Sequence, residues 1–111
     1  MSNIYNKSPK KPIYAAVFTN QRTKLDETGY QRMAAAMMVL AEKQLGYLGI
    51  ESIRDDKGFG ITVSYWQTLD DIKAWKENTA HLKAQKEGQN IWYESYTTRI
   101  VEVDRIYGFL T

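Results

Sequence analysis

Residues 47–66 read Tyr-Leu-Gly-Ile-Glu-Ser-Ile-Arg-Asp-Asp-Lys-Gly-Phe-Gly-Ile-Thr-Val-Ser-Tyr-Trp. Asp55-Asp56-Lys57-Gly58 is turn chemistry, and the chain on both sides is rich in β-branched and aromatic residues. Such residues suit a pleated strand, so 47–54 and 58–66 are expected to form a β-hairpin. The pair Gly58-x-Gly60 lacks a third glycine and opens a strand instead of a helix. A phosphate-binding loop is therefore rejected.

Toward the N-terminus, Gly46 can close a helix that Asp26 caps at its start. Leu25 and Tyr30 stand where a hydrophobic staple would place them. Tyr30, Met33, Met37, Leu40 and Gln44 recur at helical spacing, flanked by Ala34, Met38, Ala41 and Leu45. A wide methionine stripe of this kind reads as core more readily than as a ligand box. Ahead of it, Ile13-Tyr14-Ala15-Ala16-Val17-Phe18 is apolar at every position and runs into Thr19-Asn20. A half-buried strand alternates, so this one is expected to be covered on both faces.

Toward the C-terminus, Thr68 caps a second helix, with Asp71 at its third position. Leu69, Ile72, Trp75, Thr79 and Leu82 share a stripe, and the helix should stop near Glu87-Gly88. Residues 89–93 fit a short turn, and 94–106 are β-like. The order is strand, helix, strand, strand, helix, strand. That is the split β-α-β of ferredoxin-like α+β folds, a four-stranded antiparallel sheet with helices on one face. A single domain over 13–111 is expected, preceded by a loose arm at 1–12. The uncovered apolar face needs a partner, and an isologous homodimer, sheet against sheet, is the simplest solution. A ligand groove in a monomer is the alternative.

Composition narrows the function classes. At 111 residues there is room for one core and a pocket. Net charge is +2 with mixed signs, and the basic cluster Lys7, Lys10 and Lys11 lies in the arm. No nucleic-acid partner is expected, because such binders concentrate Lys and Arg on one face. The absence of cysteine removes disulfides, thiolate metal sites and a cysteine nucleophile. One histidine cannot build a typical transition-metal shell, so no metal site is expected. No apolar run reaches membrane-spanning length and no secretory leader is legible, so no membrane partner and a cytoplasmic location are expected.

The segment Ser64-Tyr65-Trp66-Gln67-Thr68-Leu69-Asp70-Asp71-Ile72-Lys73-Ala74-Trp75, with Asn78, His81, Leu82 and Ala84, resembles the antibiotic biosynthesis monooxygenase family. Trp92-Tyr93-Glu94-Ser95-Tyr96 and Arg99-Ile100-Val101-Glu102-Val103 look similar too, so the resemblance covers roughly residues 13–107. It implies a dimeric α+β barrel with a pocket between sheet and helices in each protomer. Its members include cofactor-independent oxygenases of polycyclic phenols and haem-degrading oxygenases. Fold and family narrow the reaction without deciding it.

A cofactor-free oxygenase needs a dry apolar cavity, a base, and donors that hold a substrate anion. The expected substrates are dioxygen and a small aromatic or quinol-like compound. Trp66 can supply an apolar wall and an indole donor, and His81, with an ordinary pKa near roughly 6.5, is the candidate base. Asn78, Tyr96 and Arg99 are candidates to bind the substrate. Each has a plainer reading. Trp66 and Trp75 suit the core. His81 falls more than a quarter turn from the Leu69–Leu82 stripe, so periodicity turns it from the pocket. Arg99 suits a cross-sheet pair with Glu51 or Glu102. Asp70 and Asp71 suit a helix N-terminus and not a catalytic pair. The haem alternative calls for an axial imidazole about one turn after His81, where this chain has Gln85. A third reading is a dimeric module that binds a small molecule without turning it over.

Overall fold

The computed structural model describes residues 12–86 and 89–108; the side chains of 80–86, 89 and 90 lie outside that description. Strand β1 (Ile13–Arg22) leads to helix α1 (Glu27–Glu42), hairpin β2 (Tyr47–Arg54) and β3 (Phe59–Trp66), and helix α2 (Leu69–Lys86). A short helix α3 (Gln89–Trp92) then feeds β4 (Tyr93–Val103). The sheet order is β2-β3-β1-β4 and every neighbouring pair is antiparallel. This is the expected ferredoxin-like fold.

The hairpin forms where the turn chemistry places it. Asp55 Oδ1 accepts from the backbone N–H of Lys57 and of Phe59, both at 2.9 Å, while Gly58 takes φ +92°. Only a residue free of Cβ strain adopts that angle readily. β1 runs four residues past Phe18, through polar Thr19-Asn20-Gln21-Arg22. Pairing on both sides, with β3 and with β4, outweighs the weak strand preference of that segment.

Asp26 caps α1 from the left-handed region (φ 50°), accepting from Gly29 N–H at 3.2 Å. Its second carboxylate oxygen accepts from the Trp92 indole at 3.0 Å, which ties the start of α1 to the chain ahead of β4. The staple does not form: Leu25 is 60% exposed, and Tyr30 stacks under Arg22 instead. Of the α1 stripe, Met33 and Ala41 are buried and Tyr30, Met37 and Leu40 half-buried, while Met38 and Leu45 are exposed, so the core side is narrower than the spacing suggests. On α2, Ile72 and Thr79 turn inward, Trp75 is half-buried and Leu69 is exposed.

Strand alternation and the registers sort the sheet residues into two faces. One face carries Tyr14, Ala16, Phe18, Asn20 and Arg22 of β1, with Trp66, Ser64, Thr62 and Gly60 opposite them on β3. Ring contacts from Trp66 to Trp75 and from Tyr93 to Tyr30 put the helices on this side. Among the described residues, no helix packs on the other face. It presents Ile53, Phe59, Ile61 and Val101 as exposed apolar side chains, with Ile53 at 74%.

Candidate functional site

The helix-side face is built as rows across the sheet. One end is the row Tyr47–Trp66–Tyr14–Glu102, and the other is Arg54–Gly60–Asn20–Tyr96. Between them lie two rows of small, hydroxyl and apolar side chains, including Ser64, Thr62, Ser52, Phe18 and Ile100. Tyr96 at 50% and Ile100 at 46% stay exposed on β4, so the helices leave that part of the face open.

At the first end, Trp66 is fully buried. Its ring lies 5.6 Å from that of Trp75, tilted by 30°, and 5.7 Å from that of Tyr47. Offset and edge-on aromatic pairs of this kind are favourable beyond their buried area. The indole N–H is taken up inside the protein, donating to Ser64 Oγ at 2.9 Å. Trp66 is thus an aromatic wall whose donor already has an acceptor. Beside this row an open cleft of about 320 Å³ is lined by Pro12, Tyr14, Gln67, Thr68, Leu69 and Asp70.

At the second end, Tyr30 of α1 stands between two guanidinium groups. Arg22 Cζ lies 3.7 Å above its ring and Arg54 Cζ at 5.5 Å, distances at which a cation is attracted to a ring face. Arg22 is buried, donating to Trp92 O at 2.7 Å and to Glu27 at 2.5 Å. The Gln31 amide first, and then the Arg22 guanidinium, hold the Glu27 carboxyl below its ordinary value. Arg54 donates to Gly58 O at 2.7 Å and to Tyr30 Oη at 2.8 Å, both neutral acceptors. Tyr93 packs edge-on to Tyr30 and Phe18, at 5.9 and 5.7 Å. Burial, and then the adjacent Tyr30 hydroxyl, push its phenol above the ordinary tyrosine range.

The candidates read from the sequence scatter over this frame. Trp66 and Tyr96 share the helix-side face, at opposite ends of β3 and β4. Asn78 is exposed on α2, where its amide donates to Gln44 Oε1 at 2.9 Å and fastens α2 to the end of α1. Arg99 lies on the bare face, across the sheet from Trp66, and donates to Thr19 Oγ1 at 3.4 Å. Of its two expected acidic partners, Glu51 instead accepts from Tyr65 Oη at 2.9 Å, and Glu102 lies on the other face. The side chains of His81 and Gln85 lie outside the described residues.

Asn20, Arg22, Tyr30, Arg54 and Tyr93 were not legible as a group. Counting by twos from Ala16 would have put Asn20 and Arg22 on one face. Nothing local announces that Arg54 and Tyr30 meet, 24 residues apart. The Arg54 charge is met here by neutral acceptors, so this end of the face is electropositive.

No family model matches the chain. It is 44% identical over 105 residues to the uncharacterized protein YqjZ of Bacillus subtilis, spanning 95% of this chain and 91% of that protein. Among solved structures, a putative antibiotic biosynthesis monooxygenase from Nitrosomonas europaea superposes with a TM-score of 0.69 at 15% identity, over 86% of this chain and 94% of that one. SnoaB, a cofactor-independent oxygenase from Streptomyces nogalater, gives 0.68 at 8% identity, over 86% and 96%. A Nitrosomonas europaea protein of unknown function gives 0.68 at 13%, over 90% and 97%. The sequence relationship carries the kinship and the superpositions carry the architecture: the chain belongs to the family of YqjZ and has the fold of the antibiotic biosynthesis monooxygenases.

Proposed function

We propose that the protein is an oxygenase that needs no cofactor, acting as a homodimer on a small aromatic or quinol-like compound. The observation that carries this reading is the aromatic helix-side face, with Trp66 at one end and Tyr30 with its two arginines, Arg22 and Arg54, at the other. SnoaB, a cofactor-independent oxygenase, is built on the same fold. Trp66 and Tyr96 supply walls, and the positive end favours the deprotonated substrate. His81 is the proposed base and Asn78 holds the substrate-side helix in place. Arg99 serves the bare face, where a second copy of the chain packs.

Deprotonation makes an electron-rich phenol or anthrone able to reduce dioxygen itself. For a ring methylene the balance is R–CH2 plus O2 giving R–C=O plus H2O. Four electrons leave the carbon, four reduce the two oxygen atoms, and the two methylene protons end in water. The protein's part is to hold the anion, exclude water and take up the first proton. Turnover of an anthrone under isotopically labelled dioxygen tests the reaction: the quinone should carry one labelled oxygen. Ligand-dependent stabilisation with no product would instead favour a binding module.

A further inference from the structure

In the paired rows of the bare face, the charged residues are Glu51 on β2 and Arg99 on β4. They stand in a single row: Glu51 pairs with Val63, Val63 with Val17, and Val17 with Arg99. β2 and β4 are the two edges of the sheet. The row therefore runs from an acid at one edge, through two valines, to a base at the other. Three strand spacings separate the charges, roughly 14 Å at about 4.8 Å each, too far for them to pair within one chain. Arg99 Nη1 reaches the neutral Thr19 Oγ1 at 3.4 Å, and Glu51 accepts from Tyr65 Oη at 2.9 Å. Among the described residues neither has a partner of opposite charge, and both are exposed.

Two copies packed face to face are related by a two-fold axis that lies between the sheets. An axis along the strands exchanges the edges, so that β2 of one copy covers β4 of the other. The valines then meet at the centre of the row, and Glu51 faces Arg99 on both sides. An axis across the strands lays each edge on itself, setting Glu51 against Glu51 and Arg99 against Arg99. Like charges brought together at an interface are penalised, and opposite ones fix its register. An apolar centre with charges at its edges is also the usual anatomy of an interface.

We infer that the two-fold axis runs along the strands, with Glu51 of each copy paired to Arg99 of the other. The inference rests on the proposal that the bare face joins two copies, and it adds how they are turned. It also gives both charges the opposite charge that neither has in its own chain.

The chain has no cysteine, so single cysteines can report the geometry directly. Glu51→Cys and Arg99→Cys chains are mixed in equal amounts and treated with a bismaleimide matched to the roughly 10 Å between packed sheets. The mixture should give cross-linked dimer, whereas either variant alone should give little. In sedimentation, Glu51→Arg and Arg99→Glu should each weaken self-association roughly tenfold or more, because each turns both facing pairs into like charges. Their equimolar mixture should regain the wild-type level. All four variants replace exposed edge residues and should keep the wild-type circular dichroism. A mixture that does not cross-link, or charge reversals that leave association unchanged, overturns the orientation while leaving the dimer. A wild type that sediments as a monomer overturns both.

Discussion

The indole N–H of Trp66 donates to Ser64 Oγ, two residues back on the same strand, and both side chains are buried. β3 therefore satisfies its own tryptophan. The ring is fixed against Trp75 and Tyr47 without drawing on any group outside the protein.

Ser64→Ala leaves that N–H buried without an acceptor. We expect a loss of about 1–3 kcal/mol in urea unfolding. An unchanged midpoint would mean that the indole finds another acceptor.

Arg22 holds the entry to β4 by its bond to Trp92 O and stacks on Tyr30. Arg22→Met keeps much of the packing volume but removes one of the two donors to that carbonyl, leaving it the Thr23 N–H at 2.9 Å, so a loss of about 1 kcal/mol is expected by the same measurement. A neutral result would mean that these contacts do not hold the entry to β4.

Glu27 supplies a pH dependence whose sign is fixed by its lowered folded pKa. Its contribution is present above the ordinary value of 4.5 and is lost as pH falls through the lower folded value. Glu27 is solvent-exposed, so the effect should be small. Glu27→Gln should flatten the fall in melting temperature between neutral and acid pH; an identical fall in both proteins would refute the assignment.

Tyr93 acts in the opposite direction. Its raised phenol pKa means that stability is fully present below the ordinary value of 10.0 and declines as pH climbs toward the higher folded value. Spectrophotometric titration should find it among the last tyrosines to ionise in the folded protein. Tyr93→Phe should remove part of the alkaline decline.

The bare sheet face carries the proposed dimer. Val63 faces that side near the middle of β3, between Val17 on β1 and Glu51 on β2. Val63→Asp should shift sedimentation from dimer to monomer at micromolar concentration, because a charge there meets its own copy across the two-fold axis. A wild type that sediments as a monomer would contradict the dimer outright.

The hairpin, both helix starts and the strand order were legible because each rests on local chemistry: Asp55 and Gly58 in the turn, Asp26 and Thr68 at the caps. The two-faced apolar character of β1 and β3 likewise pointed to a face left without helices. The polar end of the site was not legible. Arg22 sits where strand preference is weak, and its stacking on Tyr30 depends on how α1 crosses the sheet. Arg54 meets Tyr30 only after the hairpin folds back, a long-range event no local pattern encodes. Arg99 shows the cost of ignoring alternation: one residue from Ile100, it lies on the opposite face from Trp66.

Oxygen uptake by the purified protein, with no cofactor added, against anthrones and naphthoquinols is the most direct test. We expect protein-dependent uptake that falls in a folded Trp66→Phe variant. Uptake that the variant leaves untouched, or none with any of these compounds, would contradict an oxygenase built on this aromatic face.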